Sequence, residues 1–286
     1  MSLTGASGGF TVAQDFSGIL ERQLLAFGGP RSVCRVLTTA TGASLPWPTV
    51  NDTGNVGALL AENTTIGASV DPTFAAVTFG AYKYSSTPVL ASAEILQDSA
   101  FDIGSLLAEL LGERLGRIEG AHTTTGTGSG QPNGIVTASA AGVTAAGAAA
   151  IVFDDIMGLI HSVDPWYRTG PNVGLMMHDQ VLLAVRKLKD TTNQPLWQPS
   201  QQLGMPDRLL GFPVTINQHM SSTIATTLKT MLFGDFSKYV IRDAGSIRFY
   251  RLDERYRDLD QTGFIAFKRM DANTIQSAAI KRLTQA

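Results

Sequence analysis

The sequence predicts an α+β fold built from one long helix, alternating strands and a mixed middle region. The run from Ile103 to His122 has apolar residues at the three- and four-residue spacing of one helical face. Residues 74–84, 247–255 and 264–270 alternate between the two faces of a strand. Residues 151–242 alternate short helical and extended patterns, among them a helix over 179–189 and strands at 173–177 and 212–216, so we expect a mixed α/β subdomain there.

The long helix is the element around which we expect the rest to be organised. Asp102 is placed to cap its N-terminus, and the glycine-rich run from Gly126 ends it. A second stripe of small residues either lets other backbone approach closely or is a tolerated set of weak helix positions. The apolar stripe consists of Ile103, Leu107, Leu111, Leu115 and Ile118, seconded by Leu106 and Leu110, and the small stripe consists of Gly104, Ala108, Gly112, Gly116 and Gly120.

Composition argues against several classes of protein. The chain has 286 residues, 44% of them hydrophobic, and its mean hydropathy of +0.08 without a long apolar run argues against a membrane span. A formal net charge of −2 is unlike that of a typical nucleic-acid reader. The single cysteine, Cys34, and an N-terminus without a secretory signal favour an intracellular, reducing origin. Charged residues make up only 16%, which suits either a surface that faces other chains or a small-residue-rich enzyme.

The first 29 residues are predicted to form an arm with one short helix. Residues 1–12 are rich in Gly, Ser and Thr and show no periodicity. Residues 28–30, Gly-Gly-Pro, are expected to terminate the amphipathic helix that follows the arm. The apolar stripe of that helix consists of Phe16, Ile19, Leu20, Leu24 and Phe27.

Residues 44–90 predict an extended hairpin with a long tip. Trp47 lies between two prolines, which restricts it to extended chain at a sheet edge, and residues 74–84 return as a strand. A two-stranded ribbon with a tip of more than 20 polar and small residues is marginal in water without a partner surface. The stretch is either a disordered surface loop or, as we favour, an arm that lies on a neighbouring copy.

The charges of the hairpin indicate what its partner surface should offer. Between Trp47 and Tyr82 the only charged residues are acidic, so the receiving surface should carry cations. We call residues 247–255, 264–270 and 275–283 the three closing strands. Candidate cations lie on the long helix and in a run of mixed charges at residues 248–260, between the first two closing strands. Such a run is usually a solvated face, although its mixed signs would also suit charge pairs between identical subunits. The interface candidates are Trp47, Asp52, Glu62, Asp71, Arg114, Arg117, Arg248, Arg251 and Arg255.

No residue pattern predicts catalysis, a cofactor or a metal site. The four histidines are spread over about a hundred residues, and none has a second ligand at metal-binding spacing. Cys34 lies in an apolar run and is expected to be an inert buried thiol. The glycine-rich run 126–134 follows a helix and contains no lysine, so we interpret it as a turn rather than a phosphate loop. We therefore expect a protein that is not an enzyme.

Several stretches resemble the tailed-bacteriophage major capsid protein family, and they occur in the order in which that family has them. Together they cover nearly the entire chain. They are the Gly-Gly-Phe-Thr-Val start at Gly8 to Val12, the hairpin from Trp47 returning through Phe74 to Tyr84 with its pair Tyr82-Lys83, SAEILQDSAFDIGSLL at 92–107, GTGSGQPNGI at 126–135, LFGDFSKYVIRD at 232–243, and the closing strands.

The resemblance implies the phage major capsid fold. The implied parts are an N-terminal arm (1–29), an extended hairpin loop (44–90), a peripheral domain with a long spine helix (30–43, 91–130 and 246–286) and an axial domain (131–245). In that family such parts form hexamers and pentamers of an icosahedral shell around double-stranded DNA. The expected location is the virion, after assembly in the host cytoplasm.

The resemblance also implies partners. They are other copies of the chain, packaged double-stranded DNA held non-specifically, a portal, a scaffold or protease during assembly and a decoration protein, with no membrane. Members often carry an N-terminal scaffolding segment that is removed, and this chain begins where such a segment would end. The alternative is a bacterial nanocompartment (encapsulin-like) shell protein that encloses cargo enzymes. The Gly/Ser-rich arm and the GTGSGQPNGI turn favour the phage interpretation.

Overall fold

The computed structural model describes residues 29–57, 59–63, 65, 67, 71–98, 103–189, 193–194 and 208–286. Within these residues, two six-stranded sheets and a two-stranded ribbon are connected by a 23-residue helix and several shorter ones. The predicted α+β class is confirmed.

The helices are α1 Gly29–Val33, α2 Ala93–Asp98, α3 Ile103–Thr125, α4 Ile135–Ala138, α5 Phe153–Ser162 and α6 Asp179–Arg186. The strands are β1 Arg35–Thr39, β2 Leu45–Asn51, β3 Thr73–Phe79, β4 Tyr82–Ser85, β5 Val89–Ser92, β6 Ala140–Thr144, β7 Val173–Met177, β8 Arg208–Leu209, β9 Phe212–Ile216, β10 Lys229–Asp235, β11 Tyr239–Ala244, β12 Arg248–Leu252, β13 Gln261–Thr274 and β14 Ile280–Thr284. Short 3₁₀ turns occur at Pro165–Arg168, Phe236–Lys238, Arg257–Leu259 and Ser277–Ala279.

The 14-residue strand β13 is the centre of the first sheet. It pairs antiparallel with β11 and β12, and also with β4 and β5, while β1 adds parallel to β11. Phe264 of β13 is paired with both Val89 and Arg251, so β5 and β12 lie on opposite edges of the strand. A strand paired along both edges is protected from further strand addition.

The second sheet has the order β6-β14-β10-β7-β9-β8. The prediction that residues 275–283 form a third closing strand beside β12 and β13 is wrong, because β14 pairs with β10 and β6 instead. Strand β6 lies in an Ala- and Gly-rich run for which the sequence predicts no strand. Its pairing with β14 compensates for its weak intrinsic propensity.

Strand β10 separates two hydrophobic cores. Leu232 packs into a core that includes Leu107, Leu111 and Leu115 of α3. Its neighbours Met231 and Phe233 point to the opposite face and pack into a core with residues of α5 and α6. Period-two alternation along one buried strand therefore joins the two parts of the molecule.

Helix α3 confirms the predicted long helix but not all of its apolar stripe. Leu107, Leu111 and Leu115 are buried, whereas Ile118 is exposed and so are the seconding leucines; Leu106 is 53% exposed. The small-residue stripe faces the protein. At Gly120 an added Cβ would lie 2.5 Å from Nε2 of His219, so the close neighbour there is a side chain rather than backbone.

Three other boundaries differ from expectation. The predicted strand 74–84 breaks after Phe79, and β4 joins a different sheet. Residues 29–33 are helical, where the sequence predicts that residues 28–30 terminate a helix; the helix expected before them lies outside the described residues. Helix α6 ends at Arg186, earlier than predicted. Residues 1–28, with the predicted arm and its helix, and Asp102 lie outside the described residues.

We predict that Gly234→Ala destabilises the subunit. Gly234 in β10 has a φ of 150°, and an added Cβ would lie 2.1 Å from the carbonyl oxygen of Ala279. The free energy of unfolding should fall by about 2–4 kcal/mol, measured by chemical denaturation of the unassembled chain. The matched control is Gly147→Ala, where the nearest atom is 3.7 Å away. Equal stability of the two variants would contradict this prediction.

Candidate functional site

The ribbon of β2 and β3 is held at its base by contacts with the first sheet. Its seven residue pairs run from Leu45–Phe79 to Asn51–Thr73. Trp47 is half-buried, its ring centroid lies 6.4 Å from that of Phe79 in an edge-on arrangement, and the Arg35 guanidinium lies 5.3 Å from its ring. Trp47 therefore contacts its own chain, and its role at a subunit interface stays a prediction.

A pair of charged residues grips the point where the ribbon leaves the sheet. Arg242 is only 2% exposed, and its Nη1 donates to the carbonyl oxygens of Phe79 at 2.9 Å and Gly80 at 3.1 Å. Asp271, its partner across β11 and β13, accepts the N–H of Gly80. Burial raises the pKa of Asp271, although the N–H groups of Gly80 and Ala272 and the charge of Arg242 oppose that shift. We call Arg242 and Asp271 the ribbon clasp.

The same guanidinium also holds the segment between β1 and β2. Arg242 Nε donates to Thr39 Oγ1 at 3.0 Å, and Nη2 donates to the carbonyl oxygen of Thr41 at 3.0 Å. One buried side chain therefore binds the segment that leads into β2 and the segment that follows β3. Charge-assisted hydrogen bonds of this kind are stronger than neutral ones, so the clasp defines the direction in which the ribbon projects.

A second buried cluster joins four elements that are distant in sequence. Arg31 of α1 donates to both carboxylate oxygens of Asp243 in β11, at 2.7 and 2.9 Å, and to Glu119 of α3 at 3.3 Å. Lys268 of β13 lies 3.2 Å from Glu119 and 3.2 Å from Asp243. We call these four residues the charge quartet; its two positive and two negative charges balance.

Burial acts on both carboxyl groups of the charge quartet, with different results. It raises the pKa of Glu119, and the nearby Lys268 and Arg31 only partly offset this. Burial also works to raise the pKa of Asp243, but hydrogen bonding and charge from Arg31 and Lys268 together hold that pKa below its usual range. Asp243 is therefore the carboxylate that the cations stabilise most clearly.

The tip of the ribbon, residues 52–72, exposes acidic and apolar side chains. Asp52, Glu62 and Asp71 are exposed, and the Asn55 amide donates to Asp52. Leu59 is fully exposed and Val56 is 93% exposed. Exposed aliphatic residues so close together are typical of a contact surface.

The candidate arginines do not meet the acidic tip within one chain. The side chains that they contact are Thr87 for Arg114, Glu113 for Arg117, Asp253 for Arg251 and the Tyr256 ring for Arg255, and Arg248 is exposed on β12. In the part of the chain that the structure describes, none of these arginines pairs with Asp52, Glu62 or Asp71. Their contribution to an interface between copies therefore stays a prediction.

The described residues offer little for chemistry. No group of three or more His, Cys, Asp and Glu among them is arranged to hold a metal ion, and no described helix is long and apolar enough to cross a membrane. Cys34 is buried as predicted, and burial, followed by the charge of Asp235, raises the pKa of its thiol. Residues 126–134 form the predicted turn, closed by a bridge between Thr127 and Asn133.

A cleft of about 810 Å³ lies beside the ribbon. It is lined by β2 and β3 on one side and by the turns at Pro165–Arg168 and Ile275–Ala278 on the other, and Trp166 in it is strongly exposed. Asp164 is its one charged lining residue among those described, so the cleft presents no acid–base pair.

The ribbon clasp and the charge quartet were not predicted from the sequence, although one signal was available. Lys268 lies on the same face of β13 as Phe264, Ala266 and Met270, which are all buried. A lysine in phase with buried apolar residues requires a buried carboxylate partner. That partner, Glu119, is provided by α3.

Comparison with known proteins identifies the class to which these features belong. The sequence matches the Phage capsid family over residues 8–285. The capsid of a native GTA particle, computed with C5 symmetry, has 26% identity and a TM-score of 0.81 and covers 91% of this chain and 90% of that chain. Structures from Microbacterium phage Oxtober96 (14% identity, TM-score 0.66, 91% of each chain) and Mycobacterium phage Adephagia (12%, 0.67, 91% and 90%) share the fold. A comparison with curated protein sequences found no significant match.

The chain belongs to the phage capsid family. It is accordingly a capsid shell protein of a virion, and its fold is the phage major capsid fold that the sequence predicted. The family and its structural neighbours are structural proteins rather than enzymes.

We predict that Arg31→Met destabilises the subunit by about 3–5 kcal/mol at pH 7, because two buried carboxylates lose a cation. The folded-state pKa of Asp243 is depressed, so its stabilisation is present above its unfolded pKa of about 3.9 and is lost as the pH falls through the folded pKa. The loss should therefore shrink below about pH 4. Denaturation at both pH values tests this, with exposed Arg114→Met expected to change stability by no more than about 0.5 kcal/mol. An equal loss at both pH values would refute the assigned role of Asp243.

We also predict that Arg242→Met loosens the ribbon selectively. Removing four hydrogen bonds from the ribbon clasp should raise amide hydrogen exchange in β2 and β3 about tenfold or more, while β7 stays protected. Arg251→Met, which removes an exposed ion pair in the same sheet, is the matched control. Unchanged exchange in the ribbon, or a uniform increase across the chain, would show that the clasp does not orient it.

Proposed function

We propose that this protein assembles as hexamers and pentamers into an icosahedral shell that encloses the double-stranded DNA of a tailed phage. Membership of the phage capsid family supports a shell. A pentameric arrangement is supported by the GTA relative, whose capsid was computed with C5 symmetry. Under this proposal the shell assembles in the host cytoplasm.

The ribbon is the observation that carries this proposal. Two strands alone are marginal in water, and this pair projects from a clasped base toward a tip with exposed Val56 and Leu59. A ribbon of this kind needs another surface to cover its exposed apolar side chains. Neighbouring copies of the same chain supply that surface in a closed shell.

The division of labour along the chain follows the family and is part of the proposal. Residues 1–29 act as the arm, 44–90 as the extended loop, 30–43, 91–130 and 246–286 as the peripheral domain on spine helix α3, and 131–245 as the axial domain. Strand β14 departs from this division, because it lies between β6 and β10 in the second sheet. The end of the chain therefore connects the two proposed domains.

Other partners are proposed on the same basis. Packaged DNA would be held without sequence specificity, consistent with a chain of net charge −2. A portal, a scaffold or protease, and a decoration protein would act during or after assembly. The alternative, a nanocompartment shell with cargo enzymes, is separated from this proposal by what the particle contains.

We expect the purified protein to form closed particles under assembly conditions. Negative-stain microscopy and light scattering should show shells much larger than the 30.4 kDa subunit, and particles from infected cells should contain nuclease-protected DNA. A variant in which a Gly/Ser linker replaces the tip from Gly54 to Gly67 tests the role of the ribbon. Its subunit should fold but should not assemble. A monodisperse monomer at every concentration and salt would overturn the shell, while protein cargo without DNA would favour the nanocompartment.

A further inference from the structure

The turn at Pro165–Arg168 presents an exposed tryptophan on a firmly held backbone. Trp166 is 82% exposed. Its N–H donates to Asp164 Oδ1 at 2.9 Å, and its carbonyl oxygen accepts from the Thr169 hydroxyl at 2.9 Å. Pro165 fixes one further backbone angle in the same turn. An exposed indole that is held in this way loses little conformational entropy when a ligand covers it.

Trp166 borders the cleft of about 810 Å³ between this turn and the ribbon. The ribbon side is lined by Thr49 and Asn51 of β2, and also by Pro48 and Val50, whose side chains point to the opposite face of the strand. Because residues of both faces meet at the outer edge of β2, the cleft reaches that edge. Its volume lies within the range of about 300–1,000 Å³ that is usual for sites of small organic ligands.

The outer edge of β2 offers hydrogen-bond acceptors and few donors. Pro46 and Pro48 have no N–H, so the residues of β2 that exchange both hydrogen bonds with β3 are the odd-numbered ones. The carbonyl oxygens of Pro46, Pro48 and Val50 therefore point outward, and among these three residues only Val50 has an N–H. Such an edge favours a ligand that brings donors of its own.

The charge of the cleft favours the same kind of ligand. Asp164 is the one charged residue among the described residues that line it, and it forms no ion pair with a described cation. Its carboxylate lies close enough to Tyr167 to contribute, after burial, to the raised pKa of that phenol. A single carboxylate does not suit a hard metal ion such as Ca²⁺, which takes about six to eight oxygen ligands. It does suit one organic cation.

The chain already contains one contact between an organic cation and an indole. The Arg35 guanidinium lies 5.3 Å from the ring centroid of Trp47, at the base of the same ribbon. No described cation lies over the ring of Trp166. Tryptophan is the aromatic side chain that attracts cations most strongly, so the Trp166 ring offers an open position for one.

We propose that this cleft binds an organic cation, a guanidinium or alkylammonium group, between Trp166 and the outer edge of β2. The cation stacks on the indole, pairs with Asp164 and donates to the carbonyl oxygens of Pro48 and Val50. An arginine side chain of another protein and a free polyamine share this chemistry. Binding is a property of the single subunit and does not depend on the proposed shell.

Titration of the unassembled full chain, labelled with fluorotryptophan, tests the site. N-acetyl-arginine amide should shift the fluorine NMR signal of Trp166, which the variant Trp166→Phe identifies, and should leave the signal of Trp47 unchanged. N-acetyl-citrulline amide has nearly the same shape without the charge and should bind at least about tenfold more weakly. Equal binding of the two compounds, or no shift of the Trp166 signal up to about 50 mM arginine amide, would overturn the proposal.

Two variants separate the ring from the charge. Trp166→Ala should weaken binding about tenfold. Asp164→Asn keeps an acceptor for the Trp166 N–H and should weaken binding about three- to tenfold at low salt. The matched control is Asp179→Asn, an exposed aspartate at the start of α6, which should change the affinity less than about twofold. If this control weakened binding as much as Asp164→Asn does, general charge alone would attract the cation and the site would be refuted.

A comparison of two ligands identifies the source of the cation. We expect N-acetyl-arginine amide to bind more tightly than spermidine, because a planar guanidinium stacks on an indole and is less strongly hydrated than an ammonium group. That order assigns the cleft to an arginine side chain of another protein, and the reverse order assigns it to a polyamine. A ligand whose affinity is the same for wild type and Trp166→Ala would contradict the site in either case. Since the measurement uses the unassembled chain, its result does not depend on whether shells form.

Discussion

The charge quartet is the interaction on which the arrangement of the peripheral part depends. Arg31, Glu119, Asp243 and Lys268 come from four elements spread over most of the chain. Four charges can be buried together only if each finds an opposite partner, because an unpaired ion in the interior costs several kcal/mol. Sliding α3 along the sheet by one turn would separate Glu119 from both cations. Apolar packing tolerates such a shift far better, so the quartet is what specifies the register of helix on sheet.

Strand β13 converts that register into a direction for the ribbon. Its inner face carries Lys268 to the quartet, while on its outer face Asp271 and the neighbouring Arg242 grip Phe79 and Gly80. The same rigid strand therefore connects the position of α3 with the point from which the ribbon projects. A tip about 24 Å from its base amplifies any rotation at that base, so a precise clasp is a requirement for a precise contact between copies.

The sequence predicted helices and strands better than it predicted which of them pack or pair together. The existence of the long helix α3 and the bounds of β7 and β9 needed only local patterns, and the structure confirms them. The sequence could not predict that β14 pairs with β10 instead of with β12 or β13. Alternation shows that a strand has two faces, but it does not show which strand is its neighbour. The break at Gly80 and the ribbon clasp arise from Arg242, a residue whose neighbours in space are about 160 and 200 positions away in sequence. Interactions of that separation leave little trace in a local pattern.

The ribbon also shows how a subunit with an exposed extension avoids indiscriminate pairing. Pro46 and Pro48 have no N–H, so the pairing of β2 with β3 must use the donors of the residues between and beside them. Both prolines therefore turn their nitrogen atoms toward the outer edge of β2, which lacks two successive donors there. A strand from another chain cannot extend the ribbon along that edge. Along that edge, side chains rather than backbone must make a contact between copies, and side-chain contacts are the ones that charge and shape can restrict to a single partner surface.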